Sequence, residues 1–358
     1  MPRNGMFIRI ALALAATAVL ATVVVSAAGA ARQSTTLTGA GSTFVQPLIS
    51  TWTQIPSPSE SPFTSAKGIG VTYGGGGSGV GVSNITNHQV DFGASDAPLS
   101  AFNPTCTTCF QIPWALSGTA VIYRIDGLSV AKLKMSGPVL AEIYLGNITN
   151  WANPAIKKLN PGVTIPSTPI TTVHRDSASG TTYNFTDYLS KVSATFKSQV
   201  GKGVAPSWPG SNTVAAHGSN GVDAAVKNTN GAVGYVDVYY GVNAHLDFMK
   251  IKNRAGNFVA PTLATIAAAS KFDVTPSSTG ELSITNPPST MGYGSAYPIS
   301  TYTYVDVQKQ SSQAAPLKIF LKWAVTTGQN YAKQNIFVKL PAGVVTWDQN
   351  HIARITQS

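Results

Sequence analysis

The chain is expected to fold as an α/β protein, and two observations predict that class. Runs with strand character alternate with runs of helical spacing along most of its length. Three turns rich in Gly, Ser and Thr, at 39–44, 74–81 and 175–182, each stand between a predicted strand and a predicted helix. With 358 residues, 43% of them hydrophobic, the chain is long enough for two domains with their own cores. Only 11% of residues are charged, while 33 Gly and 22 Pro call for many turns, so the composition is that of a loop-rich globular protein and not of a disordered one.

The elements follow in order. Arg3 and Arg9 precede the apolar run IALALAATAVLATVVVSAAGA, which ends at the A-x-A site Ala28-Gly29-Ala30. This is the pattern of an export signal over residues 1–31, with an uncleaved membrane anchor as the alternative. A short strand is expected to enter GAGSTF, followed by a helix from Val45 to Trp52. PSPSESPFTSAKG reads as a loose segment. GVTY reads as a strand broken by GGGGSGVG, and VSNITNHQ as a weak helix. VDFGASDAPL is a buried strand ending at Asp96 and stopped by Pro98. GTAVIYRI (118–125) is the next strand, and GPVLAEIYLG (137–146) a helix capped by Ser136. PITTVHRD is a strand. Behind it Phe185, Tyr188, Leu189 and Val192 repeat at helical spacing. VDAAVKN predicts a short helix, GAVGYVDV and STYTYVDV strands, and APLKIFLKWAVTTG a helix with Pro316 in its first turn.

The chemistry concentrates in the three turns. A turn that passes from a strand into a helix exposes unpaired amide N–H groups at the positive helix end, which suits an anion. Glycine allows close backbone approach, and Ser or Thr hydroxyls add donors. The third turn also carries Arg175. In α/β proteins ligands gather at the carboxyl ends of strands, where all three turns, Asp96 and Asp237 are placed. Gly74-x-Gly76-x-x-Gly79 matches a dinucleotide fingerprint, but weakly in so glycine-rich a run. The five histidines are scattered without ligand spacing, so no metal and no cofactor are expected. Ser78 misses the nucleophile-elbow pattern by one residue, and no catalytic set emerges. The net charge of +10 carries no polybasic block, which argues against nucleic acid and fits capture of a small anion. Cys106 and Cys109, in CTTC, read as a local disulfide in an exported chain, with a redox pair as the alternative.

In this order the motifs LTGAGSTF, GGGSGVG, VDFGASDAPLS, IYLGNITNW, HRDSASGTT and GAVGYVDVYY resemble the phosphate-binding proteins of phosphate-specific ABC transporters. The resemblance runs from about Leu37 to about Pro341. It implies a periplasmic-type binding protein of type II, with two α/β domains joined by a hinge and the ligand in the cleft between them. Domain 1 would be discontinuous, 34–114 with 298–358, and domain 2 would cover 115–297. By position, Thr43, Phe44, Ser78, Asp96, Arg175, Ser179, Gly180 and Thr181 would hold the phosphate. The implied role is capture of inorganic phosphate outside the cytoplasmic membrane by a monomer, and delivery to the permease subunits of an ABC transporter. A secreted phosphatase using the same anion site, or a receptor for sulfate or molybdate, are the alternatives. Asp96 separates these anions, because a carboxylate can only accept and phosphate keeps a proton that sulfate lacks.

Overall fold

The computed structural model describes residues 35–130, 132–272, 275–289 and 293–358. The expected leader, 1–31, lies outside them. Strand β1 (Thr36–Gly41) leads into helix α1 (Gln46–Thr53), followed by α2 (Pro62–Lys67), β2 (Gly70–Gly76), α3 (Ser78–Thr86) and β3 (Phe92–Ser95). A long β4 (Cys109–Tyr123) precedes β5 (Lys134–Met135), α4 (Gly137–Tyr144) and α5 (Pro154–Leu159). The middle of the chain holds β6 (Thr171–Arg175), α6 (Gly180–Val192), α7 (Ala194–Gln199), β7 (Thr213–Ala216), α8 (Gly218–Asn228), β8 (Ala232–Asp237) and α9 (Val238–Asn243). Short strands β9 (Asp247–Phe248), β10 (Lys250–Lys252) and β11 (Phe258–Val259) and helix α10 (Leu263–Ala269) come next. β12 (Ser300–Gln308), β13 (Gln310–Ser311), α11 (Ala314–Val325), α12 (Ala342–Ala353) and β14 (Thr356–Gln357) close the chain.

The main sheet runs β2-β1-β3-β12-β4-β8-β6-β7, with β9 beside β4. β1, β2 and β3 are mutually parallel, as are β6, β7 and β8, while β12 and β4 run antiparallel to their neighbours. The partner of β4 changes along its length. Cys109–Gly118 pairs with β12, and Thr119–Tyr123 pairs with β8. One strand therefore serves both parallel groups.

Three local expectations differ from the structure. The strand expected over 118–125 begins nine residues earlier, at Cys109. Pro113, which argues against a central strand, is accommodated because the register with β12 shifts between Thr303 and Tyr304, leaving Trp114 as a bulge. The helix expected from VSNITNHQ starts within the glycine run, at Ser78. The loose segment contains α2, whose Pro62 supplies a first-turn proline and whose Phe63 packs edge-on against Phe320 at 4.9 Å.

Aromatic clusters fill the core on both sides of β4. Trp52 meets Trp114 at 5.6 Å and Trp323 at 6.2 Å, so α1, β4 and α11 share one contact. Farther along, Tyr235 of β8 stacks on Phe185 of α6 at 4.4 Å, and Tyr144 of α4 joins them at 4.8 Å from Phe185. Such pairs add about 0.5–1.5 kcal/mol each beyond burial. The second cluster also reaches the polar end of the sheet. The Tyr235 hydroxyl accepts from the Arg175 amide at 3.3 Å and lies 2.8 Å from Thr182 Oγ1. Core packing thereby fixes where Arg175 and the start of α6 stand. No helix among the described residues is long and apolar enough to cross a membrane.

Candidate anion site

All three Gly/Ser/Thr turns do leave a strand and enter a helix, and they meet. The first joins β1 to α1. A side chain at Gly41, where φ is +134°, would stand 2.3 Å from the Ala94 carbonyl. The close approach lets the Ser42 amide donate to that carbonyl at 2.9 Å, pinning the turn on β3. The second joins β2 to α3 and places Ser78 in the first turn of the helix. The third joins β6 to α6, where Ser179 is the N-cap and accepts from the Thr182 amide at 3.2 Å. The second and third turns pack directly on each other, with the Gly79 amide donating to the Ala178 carbonyl at 3.0 Å. A Cβ at Gly79 would lie 2.6 Å from that of Ala178, so the glycine run serves close contact between turns.

Asp96 stands at the centre, 2% exposed, just beyond β3. Ser42 Oγ lies 2.6 Å from its Oδ1 and 2.7 Å from its Oδ2. Ser78 Oγ donates to Oδ2 at 3.3 Å and accepts from the Asp96 and Gly180 amides at 3.3 and 3.1 Å. Gly180 lies so close that a Cβ there would sit 2.7 Å from the Asp96 main chain. Asn184 Nδ2 donates to the Asp96 carbonyl at 2.9 Å. Burial pushes the Asp96 carboxyl up to about 6, while hydrogen bonds from Ser42, Thr303 and Ser78 and the charge of Arg175 pull it down. It remains mostly ionised at pH 7.

Arg175 is 6% exposed. Its Nη1 donates to Ser179 Oγ at 3.1 Å, but Nε and Nη2 are buried without a hydrogen-bond partner. Burial lowers its proton affinity, opposed by Tyr235, Asp96 and Asp176. Arg175 and Asp96 attract each other but form no direct ion pair; among the described residues the pairs are Arg124–Asp126, Lys191–Asp187 and His217–Asp176. Thr181 Oγ1 and Ser177 Oγ are likewise buried and unpartnered. Every such donor costs about 1–3 kcal/mol, and a charged one more.

Of the eight positions singled out in the sequence, Ser78, Asp96 and Gly180 are in direct contact, as are Arg175 and Ser179. Thr181 adds a free hydroxyl. Phe44 is buried against Phe337, and its amide donates to Ser42 Oγ at 3.0 Å. The Thr43 hydroxyl lies 3.0 Å from Ser219 Oγ and accepts from the Ser219 amide at 3.2 Å, while Tyr240 Oη donates to the Thr43 carbonyl at 2.5 Å. Ser42, Asn184, Ser219 and Tyr240 escape sequence reasoning. Only Ser42 carried a signal, standing next to Thr43 in the same turn. His174 stacks on Trp208 at 5.5 Å, and Asp91 accepts from the Thr38 amide at 2.7 Å, so both have structural employment. Asp237 caps α9 through the Tyr239 amide at 2.7 Å. The two cysteine sulfurs are bonded, Cys106 to Cys109, at 2.02 Å.

Chemically, the arrangement offers one fixed cation, several neutral donors and one carboxylate acceptor. It suits a small oxyanion that still carries a proton. A family model described as a PBP superfamily domain matches residues 26–327. The chain is 37% identical over 317 residues to the phosphate-binding protein PstS of Xylella fastidiosa (strain Temecula1), covering 87% of this chain and 84% of that one. It is 35% identical over 290 residues to PstS of Methanocaldococcus jannaschii, covering 73% and 72%. Solved structures share the fold. A high-affinity periplasmic phosphate-binding protein bound with phosphate superposes with a TM-score of 0.66 at 22% identity, over 90% of this chain and 99% of that one. The phosphate-binding protein from Stenotrophomonas maltophilia gives 0.63 at 18%, over 88% and 93%.

Proposed function

The chain belongs to the PstS phosphate-binding proteins of the PBP superfamily, and we propose that it captures inorganic phosphate outside the cytoplasmic membrane and delivers it to an ABC permease. One observation carries the reading of the site. The buried guanidinium of Arg175 keeps two unpartnered nitrogens within electrostatic reach of the Asp96 carboxylate; the Ser179 hydroxyl is bonded to the guanidinium and the Ser78 hydroxyl to the carboxylate. Phosphate answers both groups, taking N–H donors on its charged oxygens and giving its P–OH to Asp96. Thr43, Phe44, Ser78, Asp96, Arg175, Ser179, Gly180 and Thr181 are the proposed ligands, the Thr43 hydroxyl lying next to Ser219 and the Phe44 amide next to Ser42.

Two domains, 34–114 with 298–358 and 115–297, would close on the anion like a hinge. The proposed crossing at 114/115 falls inside β4, whose pairing passes from β12 to β8 at Gly118 and Thr119. The bonds of Thr43 to Ser219 and Tyr240 then clasp the closed form. Gly180→Ala tests closure. The added methyl would press on the Asp96 backbone, an overpacking worth about 1–3 kcal/mol. Phosphate binding is expected to weaken roughly tenfold to hundredfold, because the Asp96 main chain must shift and carries its carboxylate with it. Equal affinity in calorimetry would refute the closure contact.

A phosphatase reading has little to draw on, since the Ser78 hydroxyl is engaged by Asp96 and two amides. Titration of phosphate, arsenate and sulfate into dialysed protein tests the function itself. Phosphate and arsenate are expected to bind and compete, and sulfate to be rejected; equal binding of sulfate would overturn the assignment of Asp96.

A further inference from the structure

We propose that Ser42 is a positioning residue for anion selectivity, its hydroxyl holding the Asp96 carboxylate as an acceptor that a protonated anion can use and sulfate cannot. The proposal rests on the phosphate reading above and adds a residue to it. Ser42 is fully buried, and its Oγ sits between the two carboxylate oxygens at 2.6 and 2.7 Å. These are the short distances of a hydrogen bond to charge. The hydroxyl has one proton, and its orientation is set from behind, because the Phe44 amide donates to the same oxygen at 3.0 Å. That leaves the proton for Asp96. The position of Ser42 does not depend on Asp96 alone. Its own amide is tied to Ala94 of β3 at 2.9 Å, so the donor is in place before an anion arrives.

Ser78 cannot replace it. Its oxygen is farther from Asp96, at 3.3 Å, and already accepts from the Gly180 and Asp96 amides. Without the Ser42 proton, burial would favour the neutral carboxylic acid. A neutral Asp96 can donate, and a donor welcomes sulfate. The charged and titratable groups that act on Asp96 are Arg175 from β6, Asp306 from β12, Asp237 at the end of β8 and Tyr73 on β2. Asp306 is pushed up to about 8 by burial, and burial raises Asp237 well above the usual carboxylate range; the charge of Asp96 pushes both in the same direction.

The test compares wild-type, Ser42→Ala and Ser42→Thr by titration with phosphate and sulfate from pH 5 to pH 8. Taking the variant-to-wild-type ratio at each pH cancels the ionisation of phosphate itself. Ser42→Ala is expected to come closest to wild type in phosphate affinity at pH 8, where ionisation of Asp96 is favoured in both proteins, because Ser42 bonds Asp96 and not the anion. The ratio should worsen toward pH 5 and discrimination against sulfate should narrow, with Ser42→Thr restoring both. In ligand-free protein, carboxyl NMR should show Asp96 titrating at higher pH in Ser42→Ala. That measurement needs no ligand, and thermal melting confirms that the variant is folded. A flat ratio, unchanged sulfate rejection and an unmoved Asp96 titration would overturn the role of Ser42 while leaving phosphate binding intact. Wild-type protein that takes up no phosphate at any pH would overturn both readings.

Discussion

Arg175→Met is expected to lower phosphate affinity by about two to four orders of magnitude without destabilising the free protein. The two halves of this result have one cause. The guanidinium is desolvated, and of its nitrogens only Nη1 has an acceptor within the protein, the Ser179 hydroxyl. An apolar side chain of similar length removes that unpaired charge and leaves the main-chain bond from Arg175 N to Tyr235 in place. A buried ion pair broken by loss of one partner costs about 3–5 kcal/mol, and each 1.4 kcal/mol is tenfold in binding. Here the partner left behind is the anion. Calorimetry with thermal melting of the ligand-free variant checks both halves. Affinity within tenfold of wild type would show that Arg175 is not the cation of the site.

Asp96→Asn should narrow selectivity and stabilise the free protein at neutral pH. The carboxylate repels a fully ionised sulfate and gives it no bond, whereas the amide can donate. Sulfate binding should strengthen and phosphate binding weaken, closing the gap between them by about two to four orders of magnitude. For stability, the sign follows from the raised carboxyl. It stands at about 6 in the fold against an ordinary 3.8, so the folded state prefers the protonated acid. The stability this group contributes is complete below about pH 3.8 and is lost as pH rises through about 6. The rise from 3.8 to about 6 corresponds to about 3 kcal/mol. Asparagine escapes that loss. The variant's advantage in denaturant melts should therefore be near zero at pH 3.5, grow between pH 4 and 6, and level off above. An advantage that is constant with pH would mean that Asp96 carries no charge in the free protein. The pairing of the two predictions is informative: both buried site charges cost stability, and a bound anion would offset that cost.

Much of this was legible from residue order alone. The α/β class followed from alternating periods, and each of the three Gly/Ser/Thr turns is where its residues placed it. Turn and cap chemistry is local: a glycine that must reach φ of +134° at Gly41, or a Ser179 hydroxyl that caps the fourth residue of its own turn, is written within a few positions. Seven of the eight candidate ligands lie in those turns and Asp96 follows the end of β3, so they could be nominated before their contacts were seen.

Other features were settled only when distant strands came together. β4 runs through Pro113 because β12, nearly two hundred residues later, offers a register that can bulge opposite it. Ser42 is the nearest donor to Asp96, 54 residues away, only because β1 and β3 are neighbours. Ser219 and Tyr240 clasp Thr43 from 176 and 197 residues away, with nothing in either local pattern to announce it. The proton affinity of Asp96 and the unpaired state of Arg175 belong to this second class. Both arise from desolvation, a sum over everything packed around a group, which no short window of residues contains.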